Sequence, residues 1–322
     1  MLVPFVVEPM ALSGERHWTP RELQAHLNSF MRNWKQIGLL IHDGQNITGS
    51  KFWKALEQQF EGKVEWKTWK ECMRNTPSLP GDLWTGDLQE AELEALATVA
   101  RLCVTSPEKI EKITSGAPLE LRSLSDFANA DALIAAEKLS NSHINKGDST
   151  GSIWKSRFEA LATSSNSYIK NVSIVDPYTV ERQLRGEHTE LHRFLCYLGR
   201  SASSRKNVTV YSKWPYRGKS DGQKNKEIID RMYALRKDTN LDRIGSLTLR
   251  LFHKDPPNDR FVAFGEKYLW DLGHGLEPFV DECARRDCSA TFKTWDNAKS
   301  YWKLLNDWSG DDDFMIEIWN DR

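Results

Sequence analysis

The sequence predicts an α/β protein built as two halves, each with its own core. Three observations carry that prediction. Short apolar runs with strand character (Leu2 to Val7, Leu39 to Ile41, Val172 to Val175, Val208 to Tyr211) alternate with longer stretches whose apolar residues recur at helical spacing. The chain has 322 residues, 39% hydrophobic and 28% charged, which is length and apolar surface enough for two domains. Between the halves, residues 141 to 153 are mostly Asn, Ser, Gly, Lys, Asp and Thr, the composition of a linker. A boundary is therefore expected between about residue 145 and residue 168. It would separate a mainly helical α/β domain over 1–150 from a second α/β domain with a central sheet over 167–322, ending in an acidic extension.

Each element follows from local chemistry. Leu2 to Val7 reads as a buried strand. Thr19-Pro20-Arg21-Glu22 is a capping box with proline at the first helical position, and Leu23, Leu27, Phe30, Met31 and Trp34 then share one helix face. Gly38 ends that helix, and Leu39 to Ile41 makes a second strand. Ser50 caps a helix carrying Phe52, Leu56 and Phe60. Leu88 to Cys103 reads as one helix with Leu88, Leu96, Val99 and Cys103 inward and an acidic first turn. Ser106-Pro107 begins another short helix, and Asp126 to Leu139 a further one. In the second half, Val172 to Val175 is a strand. A helix with Leu191, Phe194, Leu195 and Leu198 inward follows, then the strand Val208 to Tyr211. Lys224 to Lys237 reads as a helix burying Ile228, Ile229, Met232 and Leu235, ahead of strands at Leu247 to Phe252, Arg260 to Phe264 and Lys267 to Leu272.

The charge balance, 44 Lys and Arg against 45 Asp and Glu, excludes a histone-like basic protein and an acidic disordered chain. No stretch approaches the roughly 18 apolar residues of a membrane span. Pro4, Glu8 and Pro9 interrupt the apolar start, which has no basic flank, so no signal peptide is read there and cytoplasmic residence is expected. The five cysteines are scattered without a Cys-x-x-Cys pair and are expected to be reduced and mostly buried. Locally the balance is uneven. Residues 181 to 260 hold eighteen Lys/Arg against ten Asp/Glu, a balance of +8, and residues 301 to 322 hold two against six, a balance of −4. Basic residues sharing a face would attract an anionic partner; scattered, they would be a solvated surface.

Three ordered motifs stand in the second half: Ile174-Val175-Asp176-Pro177-Tyr178 at a strand end, Asn258-Asp259-Arg260-Phe261-Val262 entering a strand, and the turn Leu272-Gly273-His274-Gly275-Leu276-Glu277. With the order of elements from Ser167 to Asp281, they resemble the phospholipase-D-like fold. More narrowly, they resemble the C-terminal domain of proteins with a microtubule-interacting-and-trafficking domain and its bacterial relatives. The family pattern usually has His-Asp-Arg where this chain has Asn258-Asp259-Arg260. Catalytic phospholipase-D enzymes carry His-x-Lys, which is absent here; His253-Lys254-Asp255 has the wrong spacing. The resemblance therefore implies binding rather than phosphodiester chemistry. Arg260 offers a planar fork for phosphate, Asp259 would orient it, and His274 lies in a glycine turn whose N–H groups can face an anion. Asp176, Asn258, Asp259, Arg260 and His274 are the candidate ligand residues, and Asp176, Asp259, Arg260 and His274 are expected to converge at strand ends. The alternative is an Asp–Arg pair that locks the sheet to the turn.

Further constellations complete the reading. Lys213, Trp214, Tyr216, Arg217 and Lys219 interleave aromatic with basic side chains, as single-strand nucleic-acid contacts do; otherwise Trp214 packs onto the sheet. His188 and His192 have metal-competent spacing on a helix, with no third ligand evident. Asp131-Ala-Leu-Ile-Ala-Ala136 is similar to the third acidic motif of PIN-type nucleases, which would make Glu8, Asp131 and Asp148 candidate Mg²⁺ ligands. That family places Asp rather than Glu after the first strand, and an Ala-rich core helix explains the segment equally.

The leading functional expectation is a non-catalytic subunit that binds phosphate, nucleic acid or a partner protein, by association in prokaryotic anti-phage defence or mobile-element machinery. The alternatives are a divalent-metal nuclease in the N-terminal domain and a purely structural subunit whose Trp residues include interface anchors. No cofactor is expected except Mg²⁺ under the nuclease reading. A protein partner is expected, and nucleic acid is a candidate one.

Overall fold

A computed structural model describes residues 2–12, 18–113, 116, 118–164, 169–186, 190–216, 222–253, 259–308 and 313–321. The protein is α/β: among the described residues it has twelve α-helices and two sheets. The chain divides into two compact units, Met1–Leu139 with Ser164–Asn166, and Ser140–Thr163 with Ser167–Arg322.

The first unit is a parallel five-stranded sheet in the order β3-β2-β1-β4-β5, with β1 (Val3–Val7), β2 (Gly38–His42), β3 (Ser78–Pro80), β4 (Leu102–Val104) and β5 (Glu120–Arg122). Helices α1 (Pro20–Ile37), α2 (Lys51–Phe60), α3 (Val64–Arg74), α4 (Leu93–Ala97), α5 (Pro107–Lys112) and α6 (Asp131–Ser140) accompany it. Both faces of the sheet are covered, which is why its strands read as continuous apolar runs. Phe5 joins a core with Phe30, Trp34, Phe52 and Phe127, while the next residue, Val6, joins a second core with Ile41, Leu88, Leu96 and Cys103. The Thr19 box forms as expected: Thr19 Oγ1 accepts from the Glu22 N–H at 3.3 Å and Glu22 Oε2 accepts from the Thr19 N–H at 2.7 Å.

Leu88 to Cys103 is not one helix. Only Leu93–Ala97 is α-helical, Val99 is exposed, and Leu102–Val104 is β4, inserted between β1 and β5. A three-residue apolar run buried on both faces has no periodicity to separate strand from helix.

The second unit is a mixed sheet in the order β13-β9-β8-β7-β10-β11-β12-β6. Its strands are β6 (His143–Ile144), β7 (Asn171–Val175), β8 (Lys206–Lys213), β9 (Ile244–Phe252), β10 (Phe261–Phe264), β11 (Tyr268–Leu272), β12 (Cys288–Thr294) and β13 (Asp313–Asn320). β7, β8 and β9 pair in parallel and the remaining pairs are antiparallel. Six helices belong to it: α7 (Thr150–Arg157), α8 (Glu159–Thr163), α9 (Thr179–Arg185), α10 (Glu190–Ser201), α11 (Gly222–Tyr233) and α12 (Asp296–Trp308). Trp154, Phe158, Phe194 and Phe279 form an aromatic core, and α12 lays Leu305 and Trp308 against Phe252 in another cluster.

Two expectations of organisation are corrected here. Residues 141–153 are not a linker: β6 pairs with β12, Ala284 N–H donates to the Asp148 carbonyl, and α7 begins at Thr150. Polar side chains suit an edge strand as well as they suit a linker, so composition alone does not separate the two. The acidic C-terminus is not an appendage either. β13 pairs with β9 along its length, burying Ile316 and Ile318 while exposing Met315, and Asp321 pairs with Arg236.

Candidate functional site

The strand-end motif at Asp176 is built by β7. Its ladder continues one residue beyond the strand, where Asp176 N–H donates to the Tyr211 carbonyl at 3.1 Å. The side chain is 1% exposed, and its carboxylate accepts from Tyr178 N–H (3.0 Å), Leu276 N–H (3.1 Å) and Arg182 Nη2 (2.9 Å). Arg182 also grips the buried Glu190. Burial alone would lower the Arg182 pKa, yet the Asp176 and Glu190 carboxylates raise it. Gly275 has φ +60°, and a Cβ there would lie 2.1 Å from Asp176 Oδ2 and 3.2 Å from Arg260 Cδ. The turn thus requires glycine both for its dihedral and for space.

The structure brings together part of the expected ligand set. Asp176, Arg260 and the 273–276 turn adjoin one another, and the Arg260 guanidinium lies 5.4 Å from the centre of the Tyr178 ring, with its Nε buried and unpaired among the described residues. His274 reaches toward Glu277, Nδ1 to Oε2 3.9 Å. Asp259 departs: its charge acts on Tyr301, whose phenol is raised by burial, by its hydrogen bond to Asp271, and by Asp259. Asp259 and Arg260 stand just before β10, and no ion pair joins them among the described residues. Asn258 lies outside the described residues. With three donors on a carboxylate closed off from solvent, Asp176 works as a pin between sheet and turn, and its arginine partner is Arg182 rather than Arg260.

The aromatic–basic segment is not an open stacking platform. Trp214 is 5% exposed and packs against Tyr216, His253 and Phe314, with ring centres 5.8, 5.4 and 5.9 Å away. The edge strand β13 supplies Phe314 and so covers the indole face that a base would need. Burial, with Glu227 beside it, pushes the Tyr216 phenol up to about 12. Lys213 N–H donates to the Pro177 carbonyl and its side chain is half-buried. Arg217 and Lys219 lie outside the described residues, as does His188.

The proposed carboxylate trio does not form. Glu8, 1% exposed at the end of β1, accepts from Leu88 N–H at 3.1 Å, from the Thr105 hydroxyl and from the Lys109 ammonium. Lys109 also binds Asp87 Oδ1 at 2.9 Å and the Leu88 carbonyl at 2.8 Å, so an ammonium bridges the two carboxylates where a divalent ion would sit. Asp131 is exposed at the start of α6, 3.4 Å from Arg122. Asp148 belongs to the second unit, where it accepts from Asn145 N–H.

A site that sequence reading missed lies along α10. A cleft of about 580 Å³ opens between the first turn of α7 (Ser149, Thr150, Gly151) and the α10 stripe His192, Arg193, Cys196, Tyr197 and Arg200, with Glu282 also lining it. Spacings of three, four and seven residues put Arg193, Cys196, Tyr197 and Arg200 on one helix face. Thr150 is fixed by two bonds to the Glu282 carbonyl, N–H at 2.8 Å and Oγ1 at 2.9 Å. Arg200 Nε donates to Asn240 Oδ1 at 2.7 Å, and neither Arg193 nor Arg200 has a carboxylate partner among the described residues.

Behind this face, Asp238 Oδ2 lies 3.0 Å from His192 Nε2 and 3.2 Å from Cys196 Sγ. The close approach depends on Gly199, where a Cβ would lie 1.9 Å from the Asn240 carbonyl oxygen. The Asn240 N–H holds the Asp238 carboxyl down at about 2, against the opposing effect of burial. Burial and the adjacent Asp238 push the Cys196 thiol up to about 12. The sequence pairs His192 with His188, which lies outside the described residues; neither Cys196 nor Asp238, 42 residues further on, stands out as its partner.

No protein family matches the chain, and no curated protein matches it. Among solved structures it is similar to phosphatidylserine synthase from Haemophilus influenzae Rd KW20, at 15% identity and a TM-score of 0.29. The match covers 54% of this chain and 39% of that one, so the chain spans about two fifths of the length of that protein. A likeness of this size carries no argument about fold or function.

The chemistry open to the cleft follows from its walls. Two guanidinium groups and a phenol favour an anion and Glu282 opposes one, while the α7 N-terminal N–H groups of Thr150, Ser152 and Ile153 are already bonded within the fold. Among the described residues of 181 to 260, several other basic side chains are paired within the fold: Arg182 on Asp176 and Glu190, Arg185 on Glu181, Arg236 on Asp321, and Arg243 on the Ser203 carbonyl. Among the described residues no helix is long and apolar enough to cross a membrane.

Proposed function

We propose that the second unit is a binding module for a phosphate-bearing ligand, and that the phosphate enters the cleft between α7 and α10. The observation that carries this reading is the pair Arg193 and Arg200, two turns apart on one face of α10 and both lining the same cavity. Their planar forks suit phosphate oxygens. The test is binding of a labelled single-stranded oligonucleotide and of inorganic pyrophosphate to the full chain and to the Arg193→Ala/Arg200→Ala pair. Loss of both ligands in the double variant is the expected result. Unchanged binding of both removes the reading.

A second reading attaches to the first unit and is favoured by the buried Glu8. In the order β3-β2-β1-β4-β5 the direction of winding reverses between β1 and β4, and Glu8 and Thr105 stand at the carboxyl ends of those two strands. Ligands of doubly wound sheets bind at this position. A divalent-metal nuclease here would use Glu8 and Asp87 and would have to displace the Lys109 ammonium. Mg²⁺-dependent nicking of plasmid DNA that disappears in Glu8→Gln supports it, and absence of nicking by the unaltered chain removes it.

A further inference from the structure

We propose that His192, Cys196 and Asp238 form a binding site for a zinc-class transition-metal ion, with its open coordination position facing the α7–α10 cleft. This inference stands apart from the anion reading, since it rests on different side chains and requires no phosphate.

Geometry is the first support. One ligand atom from each of the three residues lies within 4.8 Å of the other two. Asp238 Oδ2 is 3.0 Å from His192 Nε2 and 3.2 Å from Cys196 Sγ. A tetrahedral zinc centre, with bonds near 2.0 Å to N and O and 2.3 Å to S, sets these edges at about 3.3 and about 3.5 Å. The third edge, His192 Nε2 to Cys196 Sγ, lies within 4.8 Å against about 3.5 Å in the tetrahedron, so seating an ion draws these two side chains together by up to about 1.3 Å. His192 and Cys196 are four residues apart on α10, so one helix face presents both, and Asp238 closes the triangle from the loop that Gly199 allows to approach.

The second support is the surroundings. Asp238 Oδ1 accepts from Asn240 N–H at 2.9 Å and Asn240 Nδ2 at 2.6 Å, which fixes the carboxylate and leaves Oδ2 aimed at the other two ligands. Such outer hydrogen bonds orient ligands in metal centres. His192 and Cys196 line the cavity, so a fourth ligand, water or an anionic group, has room to enter. The donor set decides the class of ion: imidazole, thiolate and a single carboxylate oxygen suit Zn²⁺ or Co²⁺, whereas Mg²⁺ and Ca²⁺ take oxygen ligands. On binding, the Cys196 thiol gives its proton to solvent and the sulfur takes the ion; no redox change is involved.

The test is titration of the full, chelator-stripped chain with Co²⁺ alone, followed by visible and near-ultraviolet absorption. One Co²⁺ per chain, tetrahedral-intensity visible bands and a near-ultraviolet thiolate-to-cobalt band are the expected result, with all of them displaced by Zn²⁺. Cys196→Ser should remove the thiolate band. His192→Ala and Asp238→Asn should each weaken binding at least about tenfold, the lower end for loss of even an outer-shell partner. Cys72→Ser, at a free cysteine of the first unit, should change nothing. Co²⁺ is titrated with no phosphate present, so its uptake is read independently of the anion reading. Only the spectrum of hydrated Co²⁺ with the unaltered chain, or a thiolate band that survives Cys196→Ser, overturns the assignment. The first of these needs no variant, so misfolding cannot obscure it.

Discussion

Asp176 Oδ2 accepts a hydrogen bond from the backbone N–H of Leu276, 3.1 Å away and one hundred residues later in the chain. The same carboxylate holds Arg182, which holds Glu190, so the end of β7, the helices α9 and α10 and the 273–276 turn share one buried network. Removing one partner of such a network leaves the others charged and buried. Asp176→Ala is expected to destabilise the second unit by about 3–5 kcal/mol. Gly275→Ala should act in the same direction, because its Cβ collides with Asp176 and its φ is positive. Urea unfolding followed by tryptophan fluorescence measures both; a change below about 1 kcal/mol for Asp176→Ala contradicts the structural role.

For the cleft, salt dependence is more telling than affinity. Each phosphate neutralised contributes a slope of about −0.7 for single strands and about −0.9 for duplex. Arg193→Ala with Arg200→Ala is expected to remove about 1.4 units of slope for a single strand, if each guanidinium neutralises one phosphate. Lys213→Ala, in the segment first singled out by its composition, should leave the slope nearly unaltered. Fluorescence anisotropy across a salt series distinguishes the two, and equal effects from both changes argue against the cleft as the docking point.

The pattern of what the sequence revealed is physical. α1 was legible to the residue because Thr19, Pro20 and Glu22 are capping chemistry, which acts locally. The strands at β1, β2, β7 and β8 were legible because central parallel strands need continuous apolar runs. The run Leu102–Val104 reads as a helix end because it is too short to show a period, and β6 hides in a polar segment because it is an edge strand. At the strand-end site, Asp176 and the glycine turn are legible as motifs, but Arg182 is not, since only the crossover from β7 into α9 places it beside the carboxylate. The α10 cleft was illegible because its wall depends on Gly199 admitting the 238–240 loop, a contact between distant segments that leaves no local signature.

Trp214 is expected to behave as a core residue. It is 5% exposed among Tyr216, His253 and Phe314, so Trp214→Ala should cost about 3–5 kcal/mol of stability, the range for a large aromatic removed from a packed site. Differential scanning calorimetry reads that loss directly. A stacking role would give the opposite pattern, with little thermal effect and weaker single-strand binding by about 1–3 kcal/mol.

Lys206 supplies a pH dependence whose sign can be worked out. Its side chain is fully buried on β8, Nζ lies 3.3 Å from the Ile169 carbonyl oxygen, and burial, with Lys170 nearby, pushes its pKa down to about 8. In the unfolded chain a lysine titrates near about 10.4. Between these two values the unfolded state holds a proton that the folded state has released, so stability rises with pH across that window. Below about pH 8 both states are protonated and the full penalty of the buried ammonium applies. Above about pH 10.4 both are neutral and the penalty is gone. The difference between the two limits is about 3 kcal/mol, from 1.36 kcal/mol for each pKa unit. Lys206→Met keeps the apolar stem and removes the titration, so its stability relative to the unaltered protein should be highest near pH 7 and decline steadily from pH 8 to 10. Urea midpoints for the two proteins at pH 7, 8, 9 and 10 test this. A gap between them that stays constant over the series, or that widens with pH, is incompatible with a buried lysine of lowered pKa.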